Sequence, residues 1–124
     1  MIVVDTCGWL EYIQGSDRAE LFAPAIERPE RLIVPTVTML ELAKILSRHA
    51  SKDEVMKAIS VMRMGTVVEL TEEIALDAAI LSGRFRMPSV DAIVLATAQH
   101  RKSIVWTQDA DFDGKPGVKY FPKP

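Results

Sequence analysis

The feature that most constrains this chain is a rhythm of short apolar runs. Residues 2–4, 32–34, 66–70 and 103–106 are brief stretches dominated by Ile, Val, Leu and Trp, with 118–121 as a shorter fifth. Runs that are apolar at consecutive positions, not alternate ones, belong to strands buried on both faces. The segments between them carry helical spacing. Trp9, Leu10, Tyr12 and Ile13 form an apolar face that begins after Asp5 or Thr6 and ends at Gly15. A second helix is predicted from Ser16 or Asp17 with Leu21, Phe22 and Ile26, and Pro24 is expected to kink or divide it. Further helices are predicted over 36–49, after a Ser51 cap to about 64, over 71–85, and from Pro88 and Ser89 through VDAIVLATAQHR. Strands alternating with helices imply an α/β fold: a three-layer α/β/α sandwich around a mostly parallel sheet of about four to five strands.

At 124 residues the chain is expected to be one domain, 1–124, with hydrophobic residues at 48% and charged residues at 26%. No apolar run approaches the roughly 18 residues of a membrane span, and no signal peptide is read at the N-terminus. Cys7 is the single cysteine, so no intrachain disulfide forms, and a cytoplasmic location is expected. Net charge is 15 − 17 = −2, which argues against a passive nucleic-acid binder. Yet if four acids gather at one site, the remaining surface carries 15 basic and 13 acidic groups, enough to dock a polyanion.

Four carboxylates stand out. Asp5 ends the first strand, Glu41 sits in the third helix, Asp91 opens the last, and Asp109 follows the fourth strand. Each has an ordinary explanation. Asp5 is a natural helix cap. Thr38 and Glu41 have capping-box spacing, although a helix starting at Thr36 puts Glu41 a turn inside, among leucines. Asp91, two residues after an expected Ser89 cap, suits the first-turn dipole, and Asp109 and Asp111 are good turn formers. Together they are harder to dismiss. Their elements are largely apolar and hence central, and ligands in open α/β sheets bind outside the carboxyl ends of the strands. Converging carboxylates repel, a divalent cation relieves that, and oxygen-only ligands favour Mg²⁺ or Mn²⁺. No Cys-His spacing for zinc is present, and His49 and His100 read as surface residues near helix C-termini.

The ordered set VVDT, TMLELAKIL, SVDAIVLATAQ and VWTQDADF resembles a PIN domain, and most of all the VapC-type ribonuclease toxins of toxin–antitoxin pairs. The resemblance runs from Ile2 to about Phe121. It implies a metal-dependent endoribonuclease, with one or two Mg²⁺ held by Asp5, Glu41, Asp91 and Asp109, and Mn²⁺ able to substitute. Asp5 and Asp91 match the primary ligands, Thr6 and Thr107 hydroxyls beside the site, and Asp111 a less consistent further acid. Cys7 departs from the small residue expected there. The resemblance also implies a homodimer and a cognate antitoxin protein. Leu10, Tyr12, Ile13, Phe22 and Leu46, with several methionines, offer apolar surface for such contacts if they are not core. Arg84 and Arg86 precede the Asp91 helix and are candidates for RNA phosphates, against a plain solvated helix end. Trp9 and Tyr12 fit the core or an interface better than base stacking. Two alternatives stay open: a catalytically inactive PIN-like binding module, and a metal-dependent phosphatase. The latter lacks its D-x-D-x-T pattern, because Cys7 stands at the second Asp.

Overall fold

The computed structural model describes residues 1–124. Five strands form one sheet: β1 (Ile2–Val4), β2 (Leu32–Pro35), β3 (Thr66–Val68), β4 (Ile104–Thr107) and β5 (Val118–Tyr120). Their order is β3-β2-β1-β4-β5, and every pairing is parallel. Six helices cover it: α1 (Thr6–Gln14), α2 (Ala19–Ile26), α3 (Thr36–Leu46), α4 (Lys52–Met62), α5 (Glu72–Phe85) and α6 (Ser89–His100), with 3₁₀ turns at Pro29–Arg31 and Ala110–Phe112. This is the three-layer α/β/α arrangement the sequence predicts, with all five strands parallel.

Neighbouring residues of the central strands point to opposite faces, so each strand feeds two cores. Val3 and Ile33 pack with α5 and α6 through Ile74, Leu81, Val94 and Leu95. Val4, Leu32 and Val34 pack with α1–α4 through Trp9, Phe22, Leu42, Ile59 and Met62. That is why the runs are apolar at consecutive positions. Close approach on the second face depends on Gly8, where a Cβ would lie 2.6 Å from Phe22 and 2.7 Å from Val4.

Several predicted bounds shift for local reasons. α2 begins at Ala19, because Ser16 caps a turn instead: its Oγ accepts from Arg18 N–H at 3.2 Å and its carbonyl from Ala19 N–H at 3.0 Å. Pro24 lies inside α2 without dividing it. α3 stops at Leu46, and 47–49 are turns. The Ser51 cap is present as a reciprocal capping box with Glu54. α6 is preceded by Pro88, not capped by Ser89. β3 is an edge strand that ends at Val68, with Val67 exposed. Phe22 and Met62 are fully buried, Leu46 nearly so, and Leu10, Tyr12, Ile13 and Met39 pack against the same core. The exposed apolar side chains are instead Leu40, Met64, Leu76 and Ile80, among others.

Strand order reverses at β1: the chain moves from β1 to β2 on one side and later returns to add β4 on the other. In a parallel sheet this switch opens a crevice at the carboxyl ends of the two strands. Asp5 directly follows β1, and Asp109 lies two residues beyond the end of β4. The Asp5 N–H donates to the Trp106 carbonyl at 3.0 Å, fixing the two strand ends side by side.

Candidate active site

At that switch point one carboxylate oxygen each from Asp5, Asp91 and Asp109 lie within 4.8 Å of one another. Three elements bring them there: the end of β1, the third residue of α6, and the loop after β4. α6 is buried along nearly its whole length, at Ala92, Val94, Leu95, Ala96, Thr97 and Ala98. That buried middle anchors the helix on the sheet, and Asp91 in its first turn is half-buried.

Asp5 occupies the position before α1, but its side chain makes no capping bond. Its Oδ2 instead accepts from the Thr107 hydroxyl at 3.0 Å, and the residue is 3% exposed. The capping box at Thr38 is absent: Thr38 is buried inside α3, and its hydroxyl has no partner. Glu41 is inside the helix, as the Thr36 start requires, and its Oε1 accepts from the Thr6 hydroxyl at 2.7 Å. It lies outside the tight trio, near enough for its charge to act on Asp5 and Asp91. Asp109 is a turn former, its Oδ1 accepting from Asp111 N–H at 2.9 Å, and a member of the trio as well. Asp111 is exposed.

No basic side chain neutralises this cluster. The two ion pairs in the molecule join Arg18 to Glu11 and His100 to Asp77. Burial pushes the Asp5 carboxyl up to about 6, with the charges of Asp109 and Glu41 adding to it. The Thr6 amide and the Thr107 hydroxyl pull the other way. Asp91 is pushed up to about 8, first by burial and then by Asp5, Asp109, Asp111 and Glu41. Asp5 is the more buried of the two, yet Asp91 shifts further. The difference is that Asp91 faces four acids with no hydrogen-bond donor to hold its charge. Three converging carboxylates of this kind are the all-oxygen donor set that a hard divalent cation takes.

Thr107 organises this end of the sheet. Its hydroxyl donates to Asp5, accepts from Asp109 N–H at 3.0 Å, and lies 3.3 Å from the Cys7 thiol. Burial and the charge of Asp5 push that thiol up to about 11. Arg84 and Arg86 are exposed at the end of α5, and neither is in an ion pair. Sequence reasoning missed the network behind the site. Gln108 is buried, accepts from Arg18 Nε and donates to Glu11 Oε2 at 2.8 Å. Glu11 is held below the usual carboxylate range by that amide first, and also by Arg18. The partners are about ninety residues apart in sequence, so nothing local signals them.

The family model for the PIN domain matches residues 2–117. No curated protein matches the chain. Among solved structures, a toxin–antitoxin complex from Klebsiella pneumoniae has a chain with a TM-score of 0.85 at 20% identity, covering 99% of this chain and 100% of its own. A sarcin–ricin-loop-cleaving VapC toxin from Mycobacterium tuberculosis gives 0.80 at 20% identity, covering 98% and 100%. A DNA-bound VapBC from Salmonella typhimurium gives 0.75 at 15% identity, covering 98% and 96%.

Proposed function

Because the chain belongs to the PIN-domain family, we propose that it is a metal-dependent endoribonuclease and the toxic member of a toxin–antitoxin pair. The observation that carries this reading is the trio Asp5, Asp91 and Asp109, converging at the switch point with no protein cation among them. The similar Mycobacterium tuberculosis toxin is described as cleaving the sarcin–ricin loop, which favours RNA as the substrate class.

In this reading Asp5, Asp91 and Asp109 hold Mg²⁺ or Mn²⁺, and Glu41 joins them directly or through water. Such an ion, when bound, supplies hydroxide near neutral pH and offsets charge building on the phosphate oxygens. The chain's own side chains do the positioning. The Thr107 hydroxyl holds Asp5, the Thr6 hydroxyl holds Glu41, and Asp109 is fixed by its own turn. Without the ion Asp91 carries a proton at neutral pH, which leaves when the site loads. Glu41 or Asp109 orients the attacking water. Arg84 and Arg86 are assigned to RNA phosphates flanking the site. A cognate antitoxin is the proposed regulator, since the similar Klebsiella and Salmonella structures are toxin–antitoxin assemblies. A homodimer and a cytoplasmic location complete the reading.

The test uses metal-stripped protein, labelled structured and single-stranded RNAs, and added Mg²⁺ or Mn²⁺. Residues that merely orient ligands are worth 10–100-fold, so Asp5→Asn should lower cleavage by about 100-fold or more. It should also remove the heat of metal binding while the protein still melts cooperatively. Undiminished cleavage in both Asp5→Asn and Asp91→Asn would sink the assignment.

A further inference from the structure

A cleft of about 390 Å³ opens beside the acid trio, lined by Cys7, Gln108, Asp109, Ala110, Tyr120 and Lys123. Asp109 belongs to the trio, and the Cys7 thiol lies 3.7 Å from Asp5 Oδ2, so this wall is continuous with the site. The lining also includes an aromatic ring and an ammonium. Tyr120 is half-buried on edge strand β5, in register with Thr107. Lys123 is exposed and is the one cation lining the cleft. Tyr12 uses its hydroxyl to bond Glu27, but the Tyr120 hydroxyl has no such partner; Lys123 is in no close ion pair, and the carboxylate its charge acts on is Glu11. Lys119, by contrast, is engaged, its Nζ 4.3 Å from the Trp106 ring.

The C-terminal part of the lining is fastened to the loop after β4. Arg18 Nη2 donates to the carbonyls of Phe121 at 3.0 Å and Pro122 at 3.3 Å. The same guanidinium donates from Nε to Gln108, in the loop that leads to Asp109. One side chain thereby holds the segment between Tyr120 and Lys123 against the loop that carries the acid. This is a prebuilt cleft, not the chance lie of a tail.

We propose that this cleft receives one unpaired nucleotide next to the scissile phosphate, its base on the Tyr120 ring and its phosphate at Lys123 Nζ. The proposal rests on the ribonuclease reading above. Its volume falls in the ~300–1,000 Å³ range of small-ligand sites. The acid cluster repels phosphate, so an anion following the strand away from it needs a cation, and Lys123 is the one this cleft provides. A base inside a duplex has both faces covered by its neighbours. Only a splayed-out base can offer a face to an aromatic ring, which is how unpaired RNA is read.

The test measures binding separately from cleavage. Asp5→Asn protein is titrated with a short single-stranded RNA carrying one 2-aminopurine, whose fluorescence drops on stacking. The parent and Tyr120→Phe should quench it. Tyr120→Leu should lose the quenching and bind roughly tenfold more weakly. Lys123→Ala should lower the slope of log affinity against log salt by about 0.7, the share of one single-strand phosphate. It is at an exposed position, so it decides the matter even if Tyr120→Leu misfolds. The same base placed in a duplex stem should bind without quenching. The proposal is overturned if Tyr120→Leu quenches and binds like the parent, if the Lys123→Ala salt slope is unchanged, or if the parent binds no RNA. Metal-dependent cleavage by the wild type, scored alongside, separates the two readings. Cleavage with indifferent Tyr120 and Lys123 variants removes the cleft alone. Quenching without cleavage keeps a nucleotide-binding cleft and removes the nuclease, and with it the scissile phosphate.

Discussion

The two ends of α6 carry the same kinds of residue in opposite predicaments. At its start, Asp91 meets Asp5 and Asp109; at its end, His100 meets Asp77 and Glu73, and in each group the ligating atoms lie within 4.8 Å of one another. The groups are about 13 Å apart along the helix, nine residues at 1.5 Å each. At the far end the protein supplies its own partner, His100 Nε2 lying 2.6 Å from Asp77 Oδ2 near the surface. At the near end three carboxylates converge, one of them 3% exposed, and no cation is built in. Proximity of acids is common to both. What marks the first as a site is charge gathered under burial and left for something outside the chain to balance.

The sharpest way to break that contrast is to remove the charge at each end. Asp91→Asn should lower metal-dependent cleavage by about 100-fold or more, by the same reasoning as Asp5→Asn. It should also raise the melting temperature of the metal-free protein at neutral pH, because asparagine is neutral without the proton that Asp91 must take up on folding. Asp77→Asn should leave cleavage unchanged. If both substitutions reduced activity alike, the two ends would not differ in kind.

Acidity offers a second contrast, and its sign is fixed by the direction of the shifts. Asp5 and Asp91 are raised from 3.8 to about 6 and about 8 in the folded state. Between pH 4 and 8 the folded chain therefore holds protons that the unfolded chain has released. Stability must then fall as pH rises through this window, and the loss is complete above about 8. Melting the metal-free protein in chelator across this range should show the decline, shallower in Asp91→Asn. Saturating Mg²⁺ should reverse it, because the ion displaces those protons and favours the ionised site. A metal-free melting temperature that climbs from pH 4 to 8 would mean the carboxylates are not strained.

These contrasts also explain what the sequence could and could not convey. The parallel sheet was legible because strands buried on both faces must be apolar at consecutive positions, as in Ile2, Val3 and Val4. Asp5, Asp91 and Asp109 were legible as polar breaks at the ends of such elements. Glu41 was placed inside its helix for the right reason, Pro35 fixing the start, but its bond to Thr6 spans 35 residues and leaves no local trace. The errors were local. Ser16 and Ser89 are good caps by type, yet Ser16 closes a turn and Ser89 follows a Pro88 that already sets the helix entry. The apolar surplus was misplaced because Phe22 and Leu46 look exposed only until the two-faced core is assembled. The Arg18, Gln108 and Glu11 network was invisible because each residue reads alone as ordinary surface.

A subtler substitution asks whether the site depends on how Asp5 is held. Thr107→Val keeps the shape of a fully buried side chain while removing the hydroxyl bonded to Asp5 Oδ2. That bond lowers the Asp5 carboxyl, so its loss should move the apparent pKa further up and weaken metal binding. Losing a group that orients a ligand costs about 10–100-fold in affinity or activity. Calorimetry at two pH values checks this: the deficit should shrink at higher pH, where Asp5 ionises without help. A deficit independent of pH would mean that Thr107 acts through packing alone.

The smallest effect is expected at the self-satisfied end of α6. His100→Gln removes the partner of Asp77, but the pair sits near water, with side-chain exposures of 23% and 49%. Water replaces a lost partner at such a position, and surface pairs are typically worth about 0–1 kcal/mol. Urea denaturation should therefore show a loss of no more than about 1 kcal/mol, smaller still in high salt, with cleavage intact. A larger loss would show that the α6 terminus is strained without its histidine. A loss of activity would show that the two ends of the helix communicate, and that the difference between them is one of degree.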